Sequence, residues 1–261
     1  MMNLLEIISG MEYPGRLIVS GQHHLGHDLV LYAVTGRSPS SQARRLVQSA
    51  DAVQVRATDP SLVAKGNPLL LEYDCIVRVA GDLVVSNGAQ TKVVAAGLKT
   101  RPQKGAVAVL VDTLSEPAIE NGIDLTSYEP DQPNYTPRIT GLARKDGLAL
   151  SIIRYFREKS VRSFFEVPRT PGFGKLISTY TGPNVPKGES IPSFQGEPIN
   201  VELPNAGLEV MAASVFEALG PKEPGEYIVS PGEDFRVGVA VVAYDRASNS
   251  AHFHTVNRHA A

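Results

Sequence analysis

The chain is predicted to be an α+β protein built of layered sheets and helices. Three observations carry that prediction. Short apolar, β-branched runs recur in hairpin-like pairs from Leu17 to Val256. Helical periodicity is confined to the middle and late chain. The regular strand–helix alternation that a parallel doubly wound sheet requires is missing. A Gly-x-Gly-x-x-Gly turn and a Walker-type loop are missing too, and Gly172-Phe173-Gly174 sits in a proline-rich stretch where it carries no dinucleotide signal.

In order, Leu17 to Val19 and Leu29 to Val34 read as two strands across a Gly/His-rich turn, with Arg16 opening the first. Ser38 to Arg45 reads as a loop. Ala52 to Ala57 alternates Val53 and Val55 with Gln54 and Arg56, the period of a half-buried strand. Tyr73 to Val79 and Leu83 to Ser86 pair across Ala80-Gly81-Asp82, and Asn87-Gly88 ends the second strand. Ala89 to Leu98 and Gly105 to Leu114 are expected helices, the latter turning Val109, Leu110 and Leu114 to one side. Asn121 to Pro137 has no period and reads as a loop. Ile139 to Ala143 and Leu148 to Phe156 form a hairpin on Lys145-Asp146-Gly147, and Val161 to Val167 is another strand. Arg169 to Pro204 is rich in Pro and Gly, with one strand expected at Lys175 to Thr181. Asn205 is expected to cap a helix reaching Leu219, with Val210, Ala213, Phe216 and Leu219 on its apolar side. Phe235 to Tyr244 and His252 to Val256 close the chain as a hairpin.

The 261 residues are 43% hydrophobic and 20% charged, enough for a large core, and the formal net charge is −2. Basic residues are scattered, so nucleic-acid binding through a broad positive field is not expected. Cys75 is the one cysteine, which excludes an internal disulfide and fits a reducing compartment. No apolar run is long enough to cross a bilayer, and Met1 to Gly10 lacks the basic flank of a signal peptide. The expectation is a cytoplasmic globular protein.

Four constellations could carry chemistry. Arg16, Arg37, Arg44 and Arg45 flank the first hairpin with Ser38, a set suited to phosphate or to a plain solvated turn. Asn87 and Gly88 are either a turn or N–H groups at a helix start facing an anion. The stretch Tyr128-Glu129-Pro130-Asp131, followed by Thr136-Pro137-Arg138, is either an acid/base set or a solvated loop. His23, His24 and His27, and His252 with His254, have metal-like spacing but no carboxylate or cysteine partner nearby, so no metal is expected. Cys75, inside a strand, reads as a buried small hydrophobe.

These pieces together resemble the archaeal-type inosine monophosphate cyclohydrolases. The likeness rests on Tyr13-Pro14-Gly15-Arg16, Val34-Thr35-Gly36-Arg37-Ser38, Asn67-Pro68 through Tyr73-Asp74-Cys75-Ile76, Gly81-Asp82 through Ser86-Asn87-Gly88, and Tyr128-Glu129 with Thr136-Pro137-Arg138-Ile139. A weaker echo is Ile177-Ser178-Thr179-Tyr180. The blocks occur in the family's order and cover roughly residues 13 to 181. The resemblance implies a single domain of αββα layers, with two mainly antiparallel sheets between helices, N-terminal-nucleophile-hydrolase-like. Residues 1–12 would then extend the domain, 183–204 form a Pro/Gly-rich loop, and 205–261 add a helix and hairpin. It further implies closure of 5-formamidoimidazole-4-carboxamide ribonucleotide to inosine monophosphate by a homo-oligomer, without metal or organic cofactor. On that likeness Tyr73 donates to the formyl oxygen and Glu129 relays the amide proton. Arg37 and Asn87 orient the base, and Arg16 with Arg44 or Arg45 holds the phosphate. Ser38 and Gly88 add substrate contacts, and Arg138 pairs with Glu129 or touches substrate. Another amide or formamide of a phosphorylated metabolite, or nucleotide binding without catalysis, are the other readings.

Overall fold

The computed structural model describes residues 2–63, 68–186 and 188–259; Asn67, part of one quoted block, lies outside them. The first elements are β1 (Met2–Asn3), α1 (Leu4–Ser9), β2 (Arg16–Gln22), β3 (Asp28–Thr35), α2 (Pro39–Gln42), β4 (Arg44–Gln48) and β5 (Ala52–Ala57). Then come α3 (Pro60–Val63), α4 (Pro68–Leu71), β6 (Tyr73–Val79), β7 (Asp82–Ser86), α5 (Gln90–Thr100) and α6 (Ala106–Leu114). The middle holds β8 (Ile119–Glu120), β9 (Ile123–Asp124), β10 (Arg138–Arg144), β11 (Gly147–Phe156) and β12 (Lys159–Val167). The chain finishes with β13 (Phe173–Ser178), β14 (Ile199–Glu202), α7 (Leu208–Ala218), β15 (Arg236–Asp245) and β16 (Ser250–Asn257).

Two seven-stranded sheets result, ordered β1-β14-β13-β2-β3-β15-β16 and β12-β11-β10-β7-β6-β5-β4. Every pairing within them is antiparallel except β1 with β14. Because side chains alternate along a strand, each sheet offers two apolar faces and needs cover on both. Ile18, Val30, Tyr32 and Val34 of the first sheet meet Val53, Val55, Tyr73, Val85 and Ile139 of the second in the central core. On the first sheet's other face Leu17, Val19, Leu29 and Leu31 pack on α1 and α7. The second sheet's outer face packs Val84, Leu142 and Ile153 on Val94, Leu98, Val109 and Leu110 of α5 and α6. The layers therefore run helix, sheet, sheet, helix. The late hairpin β15–β16 belongs to the first sheet and so is integral to the domain.

Four expectations need correction. Helix α7 starts at Leu208 behind Gly207, with no side-chain cap from Asn205, and the chain turns at Pro204–Ala206 before it. Its buried side is Met211, Ala212, Val215, Phe216 and Leu219, while Val210 and Ala213 face solvent. The helix is apolar around most of its circumference, which leaves its face ambiguous from periodicity. Arg44 and Arg45 lie in edge strand β4 rather than in a loop. The strand expected at Lys175 to Thr181 runs instead over Phe173–Ser178. The terminal segment expected to extend the domain supplies α1. Its Asn3 cap accepts from Leu5 N (2.8 Å) and Glu6 N (3.4 Å), and Leu4 and Ile8 are fully buried.

Candidate active site

A cavity of about 280 Å³ opens where β2, the α2 loop and the 129–136 loop meet. Tyr13, Arg16, Arg37, Ser38, Ser40, Ser41, Leu70, Leu71, Glu129, Asp131, Asn134, Thr136, Tyr180 and Ile191 line it. Gly15 brings Arg16 there. Its φ of +72° suits glycine, and a Cβ would lie 2.2 Å from Thr179 Oγ1. That hydroxyl accepts from Arg16 N (3.1 Å) and donates to Pro14 O (3.0 Å), pinning the start of β2.

Strand parity sorts the arginines. Arg16 shares its face of β2 with Ile18 and so points between the sheets. Arg44 shares a face with Leu46 of the central core and is fully buried. Arg45 stands opposite Arg56 on the other face of the sheet. Alternation thus turns Arg44 inward between the sheets and Arg45 outward, and neither lines the cavity. Arg44 Nε donates to Ser41 O (2.8 Å), so it also anchors the serine loop from beneath. Ser38 caps that loop's short helix, accepting from Ser41 N (3.2 Å). Arg37 lies 5.8 Å from the Tyr13 ring centroid and donates to Asn184 Oδ1 (3.2 Å) and Val185 O (3.1 Å).

The buried polar groups do not add up to a closed set. Arg16 Nε, Arg44 Nη1 and Nη2, Arg138 Nε and Nη2, and Glu129 Oε1 are buried without a hydrogen-bond partner. Leaving buried donors unmet is costly, and native folds keep such groups chiefly where a ligand or water completes them. Glu129 is 2% exposed, and its Oε1 lies 3.7 Å from Arg138 Nη1. Burial raises the Glu129 pKa against the opposing pull of Arg16 and Arg138, which favours a carboxyl able to take and return a proton. Burial works against the charge of Arg16, yet the facing oxygens of Tyr73, Glu129, Tyr32 and Tyr13 outweigh it and hold its pKa well up. Arg44 is pushed down by burial and then by Arg16.

Tyr73 and Glu129 both influence the Arg16 guanidinium electrostatically. Glu129 lines the cavity, whereas Tyr73 does not: it is packed in the core between the sheets, its hydroxyl 2.7 Å from that of Tyr32. Asn87 does not reach the cavity. Its amide donates to Pro137 O (2.8 Å) and accepts from Ile139 N (2.8 Å) and Gln90 Nε2 (3.0 Å), and its own N–H goes to Ile139 O. Asn87 thus fixes the start of β10 through its side chain and main chain, rather than presenting them to the cavity. Gly88 is glycine because a Cβ would lie 2.5 Å from Arg138 Nη1.

Reading the sequence missed Tyr32, and it named Asp131, Thr136 and Tyr180 only within longer stretches, with no role of their own. Asp131 accepts from Thr136 N (2.6 Å) and from its hydroxyl, which lies 2.7 Å from Tyr180 OH. The signal for Asp131 was present in the same loop as Glu129. For Tyr32 it was the one hydroxyl among the aliphatic residues 29–34, on the face that parity assigns to Arg16. The late chain also contributes: Glu12 accepts from Asn184 N (3.1 Å), Val229 N (3.0 Å) and Ser230 N (2.5 Å), binding two late segments beside Arg37. His23 and His24 bond Ala206 O (3.0 Å) and Leu203 O (3.1 Å) at the other end of β2. Among the described residues no three His, Cys, Asp or Glu are grouped to hold a metal. Cys75 is fully buried, its thiol pushed up by burial, and donates to Val53 O.

Comparison with known proteins completes the description. The family model described as IMP cyclohydrolase-like protein matches residues 13–229, most of the chain and beyond the reach of the sequence blocks. An IMP cyclohydrolase of Methanococcus aeolicus is 27% identical over 169 residues, covering 64% of this chain and 74% of the relative. One from Methanococcus maripaludis is 26% identical over 180 residues, covering 69% and 80%.

Proposed function

The chain belongs to the IMP cyclohydrolase-like family, and from that premise we propose that it is an IMP cyclohydrolase. The observation that carries this reading is the cavity lined by Arg16, Arg37 and Glu129, where Arg16 Nε and Glu129 Oε1 are buried without hydrogen-bond partners. In the reaction the carboxamide nitrogen of the formamido nucleotide attacks the formyl carbon of the same molecule. A C–N bond forms, the carboxamide nitrogen gives up one proton and the formamide nitrogen the other as its C=N bond forms, and the formyl oxygen leaves with both as water.

Both reacting ends are tethered, so holding the reactive rotamer supplies several kcal/mol of the acceleration. Arg16 and the Ser38–Ser41 hydroxyls grip the phosphate, with the buried charge of Arg44 beneath them. Arg37, braced by Asn184 and Tyr13, orients the nucleotide from the outer wall. Glu129 takes the amide proton, and Arg138 beside it limits how far its pKa climbs. The Tyr73 phenol donates to the departing oxygen. General acid–base help of this kind contributes about 10²–10⁴-fold. No metal or organic cofactor enters the scheme. The αββα layering suits an N-terminal-nucleophile-hydrolase-like scaffold used without its nucleophile, in a cytoplasmic homo-oligomer acting in purine synthesis.

Ultraviolet absorbance tests the proposal, because ring closure changes the chromophore. Purified protein is expected to convert the formamido nucleotide with release of one water. Thermal stabilisation by the nucleotide without any spectral change would reduce the protein to a binder. Turnover of a different phosphorylated amide alone would move the reaction to another substrate.

A further inference from the structure

The inter-sheet core holds a second phenol that the scheme above does not use. Tyr32 is fully buried in the middle of β3, and Val30 and Val34 share its face. Its oxygen lies 2.7 Å from the Tyr73 oxygen, and among the described residues no other hydrogen-bond partner faces it. The titratable groups around it are Tyr73 and Cys75 from β6, Arg16 from β2 and Arg44 from β4.

Each phenol has a single proton, so the pair has two arrangements. If Tyr73 donated to Tyr32, the proton of Tyr32 would be buried with no acceptor among the described residues. If Tyr32 donates to Tyr73, the Tyr73 proton is left for another acceptor. The step proposed above spends that proton on the departing oxygen, so only the second arrangement, with Tyr32 donating, serves the reaction. Burial and the neighbouring Tyr73 oxygen also hold the Tyr32 pKa well up, which keeps its proton in place to donate.

We infer that Tyr32 is a positioning residue for the cyclisation, its hydroxyl fixing that of Tyr73 as a donor aimed at the substrate and stabilising the phenolate left when the proton transfers. The inference rests on the cyclohydrolase reading above. It explains why a hydroxyl is kept in a strand core where phenylalanine would pack equally well.

Tyr32→Phe keeps the ring and removes only the oxygen. Its kcat is expected to fall about tenfold, with KM within about twofold of the wild type. In a Tyr73→Phe background the same change is expected to have no further effect on kcat. An active wild type with unchanged kcat in Tyr32→Phe overturns this inference alone. So does an equal loss in both backgrounds. A wild type inert toward the formamido nucleotide overturns the cyclohydrolase reading and this inference with it.

Discussion

The two ends of the β2–β3 hairpin bury charge in different ways. At the turn end, Asp28 is 2% exposed and shared by Arg169 (2.7 Å) and Arg246 (2.5 Å), while Asp82 takes Arg144 at 3.1 Å. Arg144 also caps the carbonyls of Arg101, Pro102 and Lys104 beyond α5. Each guanidinium there faces a carboxylate. At the open end Arg16, Arg44 and Arg138 act on Glu129, whose Oε1 lies 3.7 Å from Arg138 Nη1, and Arg16 Nε, Arg44 Nη1 and Nη2, and Arg138 Nε and Nη2 have no hydrogen-bond partner. The first arrangement locks hairpin turns. The second holds cations in the fold at a cost, which is the signature of a site awaiting an anion.

Substitutions at the two ends should separate these roles. Glu129→Gln should give the largest effect, lowering kcat by about 10²–10⁴-fold with nucleotide affinity largely kept, read by steady-state absorbance. Since burial raises the Glu129 pKa, the wild-type acid limb of kcat should lie above the ordinary carboxylate range near 4.3. The linkage sign follows. Between the unfolded and the raised folded pKa the native state holds a proton the unfolded chain has released, so Glu129 costs stability as pH rises through that window.

Asp28→Asn leaves two guanidiniums sharing a neutral amide. It should cost about 2 kcal/mol in urea unfolding, at the low end for a broken buried pair because both arginines keep some solvent, with kcat unchanged. Arg44→Met should do the reverse: remove an uncompensated buried cation, raise stability by about 1 kcal/mol and weaken nucleotide binding. Ser38→Ala is the smallest change, about 0.5 kcal/mol from the lost cap of α2 with a modest rise in KM.

Much of this was legible in the chain. The hairpins from Leu17 to Val34 and from Ile139 to Phe156 show their period directly, and Val53 and Val55 announce the inward face of β5. Arg16, Arg37, Ser38 and Glu129 were picked out, and the structure sets them around one cavity. What stayed hidden depends on partners distant in sequence. Asn87 looked like a free turn residue because Pro137, Ile139 and Gln90, which consume its amide, cannot be seen from position 87. Arg44 and Arg45 are indistinguishable until pairing with β5 fixes which one faces inward. Tyr32 read as plain core until a second sheet brought Tyr73 to its hydroxyl.

Titration calorimetry of inosine monophosphate against wild type, Arg16→Met and Asp28→Asn tests most directly whether the unmet donors are an anion site. One nucleotide per chain is expected, with affinity lost about 10–100-fold in Arg16→Met, as for removal of charged hydrogen bonds, and unchanged in Asp28→Asn. Equal affinity in Arg16→Met and wild type would contradict the account.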